Sequence, residues 1–128
     1  MYTVGIDLVE VPRIEAAVLR WGERFLHRVY TPAEIAYCAG RGSSLAARWA
    51  AKEAVSKALG TGWAAQAEHA AGWIDWVEIE VVRQPSGEPG LQLHGKAQAR
   101  ATALGIVGWR VSLSHTREHA IAMALGWF

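Results

Sequence analysis

The sequence predicts an α+β fold: a small antiparallel sheet packed on one long central helix, with shorter helices around it. Three observations predict this. The run from Arg48 to Gly60 is dominated by Ala, Leu, Lys and Glu, which lose little side-chain freedom in a helix. Near the C-terminus, Trp109, Val111 and Leu113 alternate with polar residues, and Ile121, Met123, Leu125 and Trp127 alternate with Ala120, Ala122, Ala124 and Gly126. Period two marks strands, and His115-Thr-Arg-Glu118 between them is short enough to turn a terminal hairpin. At the other end, Tyr2–Val9 is β-branched and apolar, a first strand.

The elements follow in order. Asp7 sits inside the first strand, where a carboxylate must face water, find a partner or bind a metal. Pro12 suits the first turn of a helix. On that helix Ile14, Val18, Trp21 and Phe25 form an apolar stripe. Arg13, Arg20 and Arg24 lie along a neighbouring one, with Arg28 following if the helix survives Gly22. Such a stripe is either a solvated flank or a docking surface for an acidic partner. Thr31, Pro32 and Glu34 compose a capping box with proline at the first helical position.

The central helix opens near Ser43 or Ser44, either of which can supply the N-cap oxygen, and Gly60 stands where a left-handed residue ends it. Ala47, Ala51, Ala54 and Ala58 fall on one narrow stripe, so another backbone should approach closely there. The opposite arc carries Arg48, Trp49, Lys52, Glu53, Ser56 and Lys57. That arc is either a solvated face with an i,i+4 Glu53–Lys57 pair or a phosphate and metal site; the helix alone does not choose. Trp63–Gly72, with His69, reads as an ordered loop or one loose turn, and Trp73–Val82 as a strand with a break of phase. A turn over Pro85–Gly90, a short strand over Leu91–His94 and an Ala-rich helix over Lys96–Leu104 precede the terminal hairpin.

Bulk properties exclude several classes. At 128 residues the chain reads as one domain, 1–128, able to bury about two-thirds of its unfolded surface. A net charge of +1 argues against a general nucleic-acid binder. Cations gather toward the front: residues 1–57 hold eight Lys/Arg against six Asp/Glu. One cysteine, Cys38, rules out an intrachain disulfide and a multi-cysteine zinc site. No run approaches the roughly 18 apolar residues of a membrane span, and no signal peptide opens the chain, so a cytoplasmic protein is expected.

Taken together, these residues resemble a known family. Gly5-Ile-Asp-Leu-Val-Glu-Val-Pro-Arg13, Arg24-Phe-Leu-His-Arg28 with Thr31 and Glu34, Arg48-Trp-Ala-Ala-Lys-Glu-Ala-Val-Ser-Lys57, Gly60-Thr-Gly62, Glu78-Ile-Glu-Val81, Gly87-Glu-Pro89 and Val111-Ser-Leu-Ser-His-Thr116 look like the holo-acyl-carrier-protein synthases, small bacterial 4'-phosphopantetheinyl transferases. The likeness runs nearly the whole length, in order. It implies that family's fold and the transfer of phosphopantetheine from coenzyme A to a serine of acyl carrier protein. It also implies a Mg²⁺ requirement and a homotrimer with sites between protomers.

By resemblance, Asp7 and Glu53 would hold the metal, and Lys57 would steady the pyrophosphate. Arg48 and Lys52 would contact coenzyme A phosphates, with Gly60 beside them. His115 and Thr116 would take the 3'-phosphate from the neighbouring protomer's side. The sequence does not fix the base that takes the serine proton; Glu53 acting through a metal-bound water is the preferred candidate. Arg13, Arg20, Arg24 and Arg28 would receive the carrier protein. Trp63–Gly72 is longer than the family's loop, and seven Trp is more than it usually carries. A non-catalytic coenzyme A or nucleotide-binding module, or a pure interaction protein, are the other readings; neither needs both Asp7 and Glu53.

Overall fold

The computed structural model describes residues 1–61 and 74–128. The chain opens with β1 (Tyr2–Glu10), which runs directly into α1 (Val11–Trp21). Pro12 costs nothing there, because the first turn has no intrahelical partner for the missing N–H. Gly22, at φ 55° and ψ −130°, ends α1, and the chain restarts as α2 (Glu23–Val29). The arginine stripe is therefore divided, Arg13 and Arg20 on one helix, Arg24 and Arg28 on the next.

The capping box forms as expected at α3 (Pro32–Cys38). Glu34 N donates to Thr31 Oγ1 at 3.3 Å and Thr31 N to Glu34 Oε1 at 3.0 Å. The central helix, α4 (Gly42–Ala58), begins earlier than the serines suggested: its N-cap is Arg41, with no side-chain cap. The Arg41 guanidinium turns back instead and donates to the carbonyls of Cys38 and Tyr37, at 3.0 and 2.6 Å, tying α4 to the end of α3. Gly60, at φ 72°, takes the left-handed turn beyond α4.

After the undescribed stretch, which contains Gly62 and the expected loop Trp63–Gly72 with His69, come a 3₁₀ turn (Trp76–Glu78) and β2 (Ile79–Arg83). That turn is the phase break seen in the sequence, so the strand is shorter than Trp73–Val82. The chain continues through β3 (Pro89–Leu93), α5 (Gly95–Leu104), β4 (Gly108–His115) and β5 (His119–Trp127). The α+β class is as expected. Its strands form two antiparallel sheets rather than one, β1-β5-β4 and β2-β3.

Helix α4 lies across one face of the three-stranded sheet. Gly5 and Val9 of β1 and Ala120, Ala122 and Ala124 of β5 are buried on that face. The small-residue stripe of α4 is where the sheet comes close: a Cβ on Gly5 would overlap the Ala54 carbonyl oxygen and stand 2.9 Å from Ala58 N. Yet α4 is covered on more than that side. Arg48, Lys52 and Ser56, all on the arc opposite the stripe, are buried too. Trp49 is stacked between Phe25 and Trp76, with ring centroids 5.9 and 3.9 Å away.

The other face of the sheet is apolar and open. Val4, Ile6 and Leu8 of β1 are 58, 54 and 62 % exposed, and Ile6 pairs with Met123, itself 47 % exposed.

Candidate active site

Position 7 of β1 and positions 53 and 57 of α4 meet because the strand runs beside the helix. Lys57 Nζ donates to Asp7 Oδ1 at 3.1 Å and to the Ile6 carbonyl at 3.0 Å. Glu53, one helical turn before Lys57, joins them electrostatically. Partial burial pushes its carboxyl up to about 7 and the Asp7 charge pushes the same way, while Lys57 and Arg13 pull it down. Two carboxylates thus share a pocket of field with one lysine and the first arginine of α1. Arg13 belongs to this group rather than only to the stripe.

Lys52 does not join it, and its expected role as a phosphate contact is corrected. Nζ donates to Glu34 Oε1 at 2.8 Å, the Ile79 carbonyl at 2.6 Å and the Trp76 carbonyl at 3.1 Å, and neither side chain of the ion pair is exposed. An ammonium has three donors, and all three are used inside the protein. One step along the helix from Glu53 turns Lys52 by about 100°, under β2 instead of toward β1. Burial pushes the Lys52 ammonium's pKa down, and the Glu34 carboxylate draws it back up. Glu34 also accepts from Val81 N at 3.2 Å, so the pair ties α3, α4 and β2 together.

Arg48 stands apart from the carboxylates. It lines a cavity of about 210 Å³ with His115, Tyr37, Ser44 and Arg83 among its walls. The guanidinium lies 4.2 Å from the centroid of the Tyr37 ring, and its buried Nε has no hydrogen-bond partner among the described residues. Arg48 and His115 are thus brought together within one chain, whereas the resemblance put His115 on the neighbouring protomer's side. Thr116 is engaged in the hairpin turn, where Oγ1 accepts from Glu118 N at 3.3 Å and His119 N at 3.1 Å. Tyr37, Ser44 and Arg83 were missed by the sequence reading; no periodicity or motif singles them out.

Asp7 pairs with Ala122, and Ala122 with Leu113, so β5 separates β1 from β4. The carboxylate group and the Arg48–His115 cavity therefore belong to the two outer strands of one sheet, about 10 Å apart at the backbone. On α2, Arg24 and Arg28 line an open groove of about 520 Å³ with Trp21 and Phe25. Arg20 lies over the Trp21 ring, 4.9 Å from its centroid. Three of the four arginines of the stripe thus surround partly exposed aromatic surface.

Comparison with known proteins identifies the family. A family model described as the 4'-phosphopantetheinyl transferase superfamily matches residues 3–124. A holo-[acyl-carrier-protein] synthase of Herpetosiphon aurantiacus is 52% identical over 126 residues, 98% of each chain. Among solved structures, the holo-[acyl-carrier-protein] synthase of Helicobacter pylori in complex with coenzyme A superposes with a TM-score of 0.82. It is 31% identical and covers 97% of this chain and 99% of its own. A complex of the Chronobacterium ammoniagenes synthase with coenzyme A gives 0.80 at 33% identity, covering 98% and 96%. The chain belongs to the 4'-phosphopantetheinyl transferase superfamily, and within it to the holo-[acyl-carrier-protein] synthases.

Proposed function

We propose that this protein transfers the 4'-phosphopantetheine moiety of coenzyme A to a serine of apo-acyl carrier protein, giving holo-acyl carrier protein and adenosine 3',5'-bisphosphate. The observation that carries the reading is the grouping of Asp7, Glu53 and Lys57 in a chain 52% identical to a synthase of this name. In the reaction the serine oxygen bonds to the phosphorus that bears pantetheine. The bridging P–O bond of the pyrophosphate breaks, and the electron pair leaves on the nucleotide phosphate. Lys57, fixed by Asp7 and the Ile6 carbonyl, is placed to meet that developing charge. Glu53, one helical turn before Lys57, takes the serine proton through a water in this reading.

The site suits Mg²⁺, which takes one or two carboxylates together with substrate oxygens and waters. Asp7 and Glu53 are two such groups, and the charge of one already disfavours ionisation of the other; they would hold the ion. When bound it supplies charge neutralisation at the pyrophosphate.

In this reading Arg48 and His115 hold the 3'-phosphate, and Arg20, Arg24 and Arg28 receive the acidic carrier protein. The chain works as a homotrimer with sites between protomers. The open apolar face of β1 and β5 and the separation of the two residue groups onto outer strands support that assembly. A cytoplasmic location belongs to the same reading, consistent with one free, buried cysteine; among the described residues no helix is long and apolar enough to cross a membrane.

Incubating the protein with apo-acyl carrier protein, coenzyme A and Mg²⁺, and weighing the carrier by mass spectrometry, tests the function. A gain of one phosphopantetheine mass is expected. A carrier of unchanged mass beside demonstrable coenzyme A binding would leave only a non-catalytic binding module.

A further inference from the structure

Three guanidinium groups converge on one aromatic ring. Arg48, Arg83 and Arg41 lie 4.2, 5.0 and 5.2 Å from the centroid of Tyr37. They come from the middle of α4, the end of β2 and the residue before α4, while Tyr37 stands near the end of α3. The negative face of the ring offsets part of their mutual repulsion. Each is also held from a second direction. Arg41 donates to the Tyr37 and Cys38 carbonyls, Arg83 Nη1 donates to the Tyr37 hydroxyl, and Arg48 is buried to 5 % exposure.

What is missing is a counter-charge. None of the three arginines makes an ion pair with a carboxylate among the described residues. Among those residues the buried Arg48 Nε also has no hydrogen-bond partner, although it belongs to a side chain lining a cavity with Arg83, Ser44 and His115. Gly87, at φ 89°, supplies the left-handed turn between β2 and β3 that follows Arg83. A preassembled group of unpaired cations around a small cavity is complementary to a compact, multiply charged anion. A phosphate monoester fits, because guanidinium forks match its oxygens in pairs.

We propose that Arg83 is a further specificity-determining residue for the 3'-phosphate of coenzyme A, and that Tyr37 is the positioning residue that gathers Arg83, Arg48 and Arg41 around that group. The inference rests on the reading of Arg48 and His115 as the 3'-phosphate site. It adds two residues that act on one feature of the substrate only. Arg83 selects molecules carrying the monoester over those lacking it, and contributes nothing to the pantetheine end.

The test is calorimetric titration of the protein with coenzyme A and with 3'-dephospho-coenzyme A, in wild type, Arg83→Gln and Tyr37→Leu. Wild type should bind coenzyme A the more tightly. Arg83→Gln should weaken coenzyme A binding by about tenfold, the worth of one charge-assisted hydrogen bond, and leave the dephospho compound unchanged. Tyr37→Leu should narrow the same ratio, a change that a merely structural role would not produce; Tyr37→Phe, which keeps the ring, should lie between. If wild type binds both ligands equally, the 3'-phosphate reading fails and this inference with it. If wild type discriminates and Arg83→Gln discriminates as well, the inference alone is overturned. Equal loss of both ligands in Arg83→Gln overturns it too.

Discussion

Lys57 Nζ and Asp7 Oδ1 stand 3.1 Å apart, joining the last turn of α4 to the middle of β1. The contact takes up the lysine and leaves Glu53 as the carboxylate without a hydrogen-bonded cation of its own among the described contacts. Glu53 responds as such a group must, since partial desolvation and the neighbouring Asp7 charge both favour its protonated form.

That response makes stability depend on pH. The folded chain holds the Glu53 proton more tightly than the unfolded one, with the group moved from 4.5 to about 7. Its contribution is complete below the unfolded value and is lost as pH rises through about 7. Without divalent cation, the gap in Tm between Glu53→Gln and wild type should therefore widen in the variant's favour from pH 5 to pH 8. Solvent screening of a half-exposed group keeps the change to about 1–3 °C. Adding Mg²⁺ at pH 8 should raise wild-type Tm and not that of the variant. A pH-independent gap in differential scanning calorimetry would remove Glu53 from this role.

Lys52 is expected to matter for stability and not for coenzyme A. Lys52→Met leaves Glu34 buried and unpaired, which costs about 3–5 kcal/mol. Changing Glu34→Gln in addition should return part of that loss. Urea unfolding of the three variants measures it. Whatever fraction stays folded should bind coenzyme A as wild type does, because all three Nζ donors face inward.

The contrast between Lys52 and Glu53 shows how far the sequence could be read. The capping box at Thr31, the helix around Glu53, the left-handed Gly60 and the terminal hairpin are local, and each was legible in residue type and spacing. Which flank of α4 would be covered was not legible, because the cover over Lys52 comes from Trp76 and Ile79, residues with no periodic relation to the helix. The 3₁₀ turn at Trp76 was read as strand for a related reason: a single tight turn leaves an alternating pattern merely out of phase. Asp7 and Glu53 could be named by resemblance, but Tyr37 and Arg83 could not, since they acquire meaning only when α3, α4 and β2 converge.

The close approach of β1 to α4 gives a sharper stability test. Gly5→Ala puts a methyl group onto the Ala54 carbonyl, where neither backbone has room to yield. A loss of about 3 kcal/mol or more is expected, at the upper end of overpacking. A thermal melt unchanged within 1–2 °C would mean that the contact is looser than it stands.

Arg24 shares a groove with Trp21, Phe25 and Arg28, the surface that receives the carrier protein in the proposed reading. Arg24→Glu should raise KM for the carrier protein about five- to tenfold and leave KM for coenzyme A unchanged. Added salt should weaken carrier binding by the wild type more than by the variant. An effect confined to coenzyme A would assign the arginine to the nucleotide instead.

The arrangement of Asp7 and His115 bears on assembly. They occupy β1 and β4, the outer strands of one sheet, with β5 between them. If one active site takes Glu53 from one protomer and His115 from its neighbour, two inactive variants can complement each other. In an equimolar mixture of Glu53→Gln and His115→Ala, randomly re-formed trimers place an intact Glu53 opposite an intact His115 at about a quarter of their interfaces. Activity should recover to about that fraction of wild type, provided each variant alone is severely impaired. Sites built within one chain give no such recovery, because every chain then carries one defect. Verified subunit exchange without recovered activity would place each whole site inside a single protomer.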